Sequence, residues 1–362
     1  MKLTLLITLF ALTALQANAQ GVKYNEDSVD LEALYQEIDE AISNSPQYVK
    51  ELEKKISVCR DSFLIEKDPE KRIQKAESLF QIYRSYKNDS AQHYIELCIN
   101  LSDSLHRPDL AGRYRSLMAY QCSSTSIKAE SVVQFQKIDK RALDNQGLVE
   151  YYHALMHFYG ELGNYTQRDG MKRYYFDQQN LYRDSVMMVA NEGSEEWLHL
   201  KMDILTATRH FQDALAISNK WLKTVKPGTH ESAYAAFYRS VVFDHLGNHD
   251  LACYWLGRSA LDDIRCAVMD QASLLFLAEY LANDGDVDRA IRYLEFSKKC
   301  NATFLPYLRP YQTDYVFNIF KKSREVDRQR TNMILYVSVA VIILLLLALI
   351  FVIVRSRKRI LV

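Results

Sequence analysis

Residues 272–299 read Ala272-Ser273-Leu274-Leu275-Phe276-Leu277-Ala278-Glu279-Tyr280-Leu281-Ala282-Asn283-Asp284-Gly285-Asp286-Val287-Asp288-Arg289-Ala290-Ile291-Arg292-Tyr293-Leu294-Glu295-Phe296-Ser297-Lys298-Lys299. Leu274, Leu277, Ala278 and Leu281 fall at helical spacing, and Val287, Ala290, Ile291 and Leu294 resume the same period after Asp284-Gly285-Asp286. The pattern predicts two amphipathic helices joined by a tight turn, with the small Ala290 where they press together. One such hairpin cannot bury both of its apolar stripes, so further copies are required.

Those copies lie upstream. Arg209-His210-Phe211-Gln212-Asp213-Ala214-Leu215 and Leu246-Gly247-Asn248-His249-Asp250-Leu251-Ala252-Cys253 repeat the turn, and Ala214, Ala252 and Ala290 are evenly spaced by 38 residues. Gly247 and Gly285 mark the turns, and each alanine opens a second helix. Leu198, Met202 and Leu205 supply the apolar stripe before the first turn. Two antiparallel helices per unit with small residues at the contact is the tetratricopeptide design. Weaker copies are read at Glu161-Leu162-Gly163-Asn164-Tyr165, taken as a turn with Arg168 in place of the small residue, and at Lys128-Ala129-Glu130 and Ser90-Ala91-Gln92.

Composition agrees. Glycine (11) and proline (6) are scarce in 362 residues, which disfavours strand-and-turn folds and favours long helices. Lys plus Arg and Asp plus Glu balance at 45 each, so no global charge draws the chain to nucleic acid. The six cysteines contain no C-x-x-C and are read as packed thiols, Cys253 and Cys266 being the first pair to examine. Asp30–Phe63 reads as two amphipathic helices broken at Ser45-Pro46, and Asp68-Pro69 as a helix start.

The two ends point to a membrane. Met1–Ala19 has a single Lys2, the apolar run Leu3–Leu15 and Ala17-Asn18-Ala19, the form of a cleavable secretory signal cut after Ala19. Met333–Val354 is twenty-two residues without a charge, seventeen of them Leu, Ile, Val or Phe. As a helix it reaches roughly 33 Å, against a hydrocarbon core of ~30 Å. Arg355-Ser356-Arg357-Lys358-Arg359 follows, as on a cytoplasmic flank. The expected organisation is a signal peptide (1–19), an N-terminal helical segment (20–65), a tetratricopeptide-like domain (66–320), a juxtamembrane helix (321–332), a transmembrane helix (333–354) and a basic tail (355–362). The fold class is all-α, a right-handed solenoid of helical hairpins followed by one membrane helix, in the inner membrane with its bulk in the periplasm.

Leu34, Ile38-Asp39, Ala41-Ile42, Tyr48, Lys50, Lys54 and Ile56, with Tyr83-Arg84-Ser85-Tyr86 and Asp89-Ser90-Ala91, carry a resemblance. Over Asp30 to Val362 the chain resembles the membrane-anchored tetratricopeptide proteins of Bacteroidetes that carry a domain of unknown function. The resemblance implies a transcriptional or signalling regulator whose periplasmic array senses and whose helix-turn-helix domain acts beyond the membrane. Only Arg355–Val362 follows the apolar run here, too short for a recognition helix with its support, so DNA binding is not carried over.

Tetratricopeptide arrays build their concave wall from the first helix of each unit. With Ala214, Ala252 and Ala290 as equivalent positions, the wall would present His153, His157, His199, Asp203, Tyr234, Phe237, Asp244, His245 and Glu279. Imidazoles, carboxylates and two aromatics suit an extended or helical peptide, and histidines there would make binding respond to pH. His153 and His157 are one helical turn apart, but Ala154 stands where a metalloprotease needs its glutamate. No P-loop, G-x-G-x-x-G, G-x-S-x-G or zinc-ligand pattern occurs, so no enzyme activity, cofactor or metal is expected. The expected partners are an envelope protein or peptide, the lipid bilayer and a second copy of the chain, with a passive envelope scaffold as the alternative to a sensor.

Overall fold

In a computed structural model, the described residues are Glu26, 29–125, 127–304, 328–329, 331–344 and Leu346. The signal segment with Ala17 and Ala19, most of the juxtamembrane stretch and the basic tail lie outside them. Two compact units divide at Leu308.

The first unit is helical, with no strand among the described residues. Its elements are α1 (Leu31–Ile65), α2 (Pro69–Tyr83), α3 (Asn88–Ser104), α4 (Pro108–Ser123), α5 (Lys128–Gln136), a 3-10 turn (Lys140–Ala142), α6 (Asn145–Tyr165), α7 (Asp169–Val189), α8 (Glu195–Ala207), α9 (Phe211–Thr224), α10 (His230–His245), α11 (His249–Arg265), α12 (Ala272–Asn283) and α13 (Val287–Phe304). Consecutive helices pack on one another, and the first helices of neighbouring hairpins also meet, α4 on α6 and α8 on α10. This is a tetratricopeptide-like array.

The last three hairpin turns share one construction. Arg209, Gly247 and Gly285 adopt left-handed φ of 62°, 72° and 93°. In each, the next residue's N–H reaches back to a carbonyl five positions earlier: His210 to Leu205, Asn248 to Phe243 and Asp286 to Leu281, at 2.8, 3.0 and 2.9 Å. That bond satisfies a carbonyl the helix end leaves unpaired. Ala214, Ala252 and Ala290 follow at full burial.

The upstream repeats depart from expectation. Glu161–Tyr165 is not a turn: α6 runs through it, and the turn is Thr166-Gln167-Arg168. Arg168 is exposed at the start of α7. The close contact is made instead by α6, where a Cβ on Gly160 would lie 2.7 Å from the Gln179 amide and one on Gly163 2.7 Å from the Phe176 ring. The small residues have changed sides of the hairpin. Ala91 is fully buried, whereas Ala129 is exposed and Ser131 takes the inward place, donating to the Ala119 carbonyl at 2.8 Å.

The N-terminal segment departs most. Leu31–Ile65 is one continuous helix with Pro46 inside it, not two. Asp30 caps it by accepting from Ala33 N–H at 2.9 Å. Pro46 removes one backbone donor, but both halves of α1 are held from outside. Leu34 and Ile38 press onto α11, where Gly257 leaves the room. Ile56 joins Tyr86, Met269, Cys300 and Phe304 in a second cluster. Ser85 at the α2–α3 turn accepts from Met269 N–H at 2.8 Å, so the front of the array is bonded to its rear.

The six cysteines are free thiols, and Cys253 and Cys266 are not bonded. In the second unit, 331–344 is helical with exposed side chains. The expected span to Val354 extends outside the described residues, and among those described no helix is long and apolar enough to cross a membrane.

Candidate functional site

The array encloses a recess of about 530 Å³ between α4, α6, α7, α8 and α10. His153 and His157 come from α6, His199 and Asp203 from α8, and Tyr234 and Tyr238 from α10, each pair one helical turn apart. Tyr120 of α4 closes one side; Gln179, Asn180 and Arg183 of α7 close another. A smaller cavity of about 230 Å³ shares Tyr120 and Tyr234 and adds Arg84, His230, Phe237 and Asp263.

Tilted and edge-on rings pack along the wall. His199 sits 4.1 Å from Tyr238, 5.1 Å from Tyr234 and 5.8 Å from Trp221, centroid to centroid. Tyr120 lies 4.2 Å from His157 and 5.4 Å from His153. His157 Nδ1 is 2.8 Å from Ser123 Oγ, which fixes the ring against α4. Few contacts join α7 to α8. The thirteen-residue α8 is shorter than the twenty-one-residue α7, so part of α7 stays uncovered and faces the recess.

Burial decides the charge state of the wall. It pushes the His199 imidazole down to about 3, with His153 adding to the effect, and His153 itself down to about 4, helped by the charge of Arg84. Both rings are neutral from neutral pH well into mild acid, so the expected pH-responsive binding does not come from these two. Burial likewise raises Asp203 above the usual carboxylate range, against the pull of Arg183. Asp203 keeps an exposed surface all the same, because that surface faces the recess, with protein on most sides. The Tyr234 phenol is held far up by burial and then by Tyr238.

Of the nine residues expected on the concave wall, His153, His157, His199, Asp203 and Tyr234 line the larger recess and Phe237 the smaller. Asp244, His245 and Glu279 line neither. Asp244 accepts from the Tyr280 hydroxyl, and His245 stacks on Phe211 at 6.1 Å. Sequence reasoning missed Tyr120, Arg84 and the α7 residues. Tyr238 carried a usable signal, four residues after Tyr234. Gln179, Asn180 and Arg183 carried none, because they belong to a second helix that only a short neighbour uncovers.

A model of the SusR N-terminal TPR domain family matches residues 42–314. No curated protein matches the chain.

Proposed function

Because the chain belongs to the SusR N-terminal TPR domain family, whose repeats are of a protein-interaction type, we propose that it is a membrane-anchored receptor array of the cell envelope. The helical unit takes up a segment of a protein or peptide in its inner recess, and the apolar run Met333–Val354 anchors it. The reading extends to the sensing part of a regulator, with residues 1–19 as the export signal and the helical unit in the periplasm.

One observation carries the binding part. Rings from α4, α6, α8 and α10 converge on a recess of about 530 Å³, within the roughly 300–1,000 Å³ that accommodates a drug-sized ligand. The occupant is therefore a few residues, such as a chain end or a loop tip, rather than a long extended strand. Aromatic faces supply contact area at little entropic cost, and neutral imidazoles offer one donor and one acceptor each.

A photo-crosslinking residue in place of Asn180, on the recess wall, tests this in intact cells. It is compared with one in place of Met188 on the outside of α7, which is 86% exposed. The expected result is a discrete adduct from position 180 alone, lost when Tyr234→Ala is combined with Phe237→Ala in a protein that still folds. No adduct from position 180, or an adduct unaffected by those changes, rejects the recess as the binding site. A tag behind Val362 is expected to be reachable only after the inner membrane is opened. Recovery of the chain in the soluble fraction after lysis rejects the anchor.

A further inference from the structure

Away from the recess, at the turn side of the last two hairpins, three side chains of metal-ligating type converge. His249 and Cys253 are four residues apart on one face of α11, and Asp284 caps the C-terminal end of α12. His249 Nε2 stands 2.7 Å from Asp284 Oδ2 and 3.6 Å from Cys253 Sγ, and the three ligating atoms lie within 4.8 Å of one another. The sequence hid this grouping, because Asp284 comes from another hairpin and no short ligand motif contains all three.

The distances suit a small thiophilic dication. Zinc binds sulfur at ~2.3 Å, imidazole nitrogen at ~2.0–2.1 Å and carboxylate oxygen at ~2.0–2.2 Å, so tetrahedral geometry sets nitrogen and sulfur about 3.6 Å apart and nitrogen and oxygen about 3.4 Å apart. The first spacing is already present. The second requires the carboxylate to withdraw by about 0.7 Å, an easy motion for a side chain that is 45% exposed. Cys253 is fully buried, whereas the His249 side chain is 44% exposed, so the cluster has a packed floor and an open mouth. Tyr280 rests its ring 5.3 Å from that of His249 and bonds Asp244.

We propose that His249 Nε2, Cys253 Sγ and the Asp284 carboxylate form a three-residue site for a divalent cation of the zinc class, with its fourth position open to water. Binding releases the thiol proton, while the imidazole coordinates through Nε2 as a neutral ring whose hydrogen is carried on Nδ1. The bound dication then balances one thiolate and one carboxylate. A mixed sulfur, nitrogen and oxygen set selects zinc over magnesium or calcium, which take oxygen ligands. The ion ties the α10–α11 hairpin to the α12–α13 hairpin. This site is independent of what occupies the recess.

Cobalt(II) is the probe, titrated into the reduced full-length protein in detergent. One equivalent is expected to produce a thiolate-to-cobalt charge-transfer band with intense tetrahedral d–d bands, and zinc to abolish both. Cys253→Ser is expected to remove the charge-transfer band, and His249→Ala and Asp284→Asn to weaken binding at least tenfold. Cys59→Ser and Cys266→Ser should leave it unchanged. Absence of the band at millimolar cobalt, its persistence in a folded Cys253→Ser protein, or undiminished affinity in His249→Ala overturns the proposal. His249 is exposed at the start of its helix, so that variant decides the matter even if Cys253→Ser fails to fold.

Discussion

Arg239 is 4% exposed and still carries a guanidinium. Glu26 holds it at 2.7 Å, Ser218 and Asn219 accept from it at 3.0 Å, and it lies 4.9 Å over the Trp255 ring. Arg239→Ala strands those partners in a packed interface and is expected to cost ~3 kcal/mol, read from denaturant midpoints. His199 sets a pH dependence instead. Its folded-state value of about 3 lies below the ordinary 6.5, so the unfolded chain binds a proton that the folded one excludes. Stability from this residue is complete above pH ~6.5 and declines as acid carries the pH down toward the folded value, by on the order of 2–3 kcal/mol at pH 4.5. His153 adds in the same direction. His230 works oppositely: burial pulls it down, but the bond to Asp263 and its charge outweigh that and raise it, so its contribution fades as pH rises. Unfolding curves between pH 7.5 and 4.5 are expected to show a weaker acid slope for His199→Phe, which keeps a ring against Tyr238 without a titrating nitrogen. An unchanged slope would assign the acid loss elsewhere.

The α6–α7 hairpin offers a paired test at the level of elements. Gly163→Ala drives a Cβ to within 2.7 Å of the Phe176 ring, whereas a Cβ on Gly170 meets nothing within 4 Å. The first change should destabilise by ~1–3 kcal/mol through overpacking. The second should stabilise by a few tenths to ~1 kcal/mol, because alanine leaves the unfolded chain less freedom. Thermal melts of the two variants should move in opposite directions. Pro46 tests α1 in the same way: Pro46→Ala restores a backbone donor inside a formed helix and is expected to raise the melting temperature. A drop would mean that the proline shapes the path of α1 along its neighbours.

At the scale of the whole helical unit, closure dominates. Glu32 and Asp39 of α1 meet Arg289 of α13 at 2.8 and 3.5 Å, Asp39 also meets Arg292, and Tyr293 donates to the Tyr35 carbonyl at 3.1 Å. Open repeat arrays unfold by fraying from their ends, but here the two ends hold each other. Ile38→Asp places a charge at a fully buried contact with α11. It is expected to lower stability by more than ~3 kcal/mol and to split a single unfolding transition into two. Amide exchange should then rise in α11 and α13 as well as in α1. Exchange confined to α1 would show that the ends fold independently.

By itself the sequence determined the all-helical class, the three regular hairpins and the register of Ala214, Ala252 and Ala290, because period, turn residues and small contact residues are local signals. The repeat register alone also placed His153, His157, His199, Asp203 and Tyr234 on first helices, and these residues line the larger recess. Only tertiary structure decided that α1 passes unbroken through Pro46, since its first half is held by α11 and α13 and its second half by Tyr86, Met269, Cys300 and Phe304, all contacts outside the helix itself. It likewise decided which face of α7 stays uncovered and that Asp284 stands beside His249 and Cys253. Those arrangements depend on how long one helix is relative to the next and on the path of the chain between hairpins, quantities set by packing across the array and by no window of the sequence.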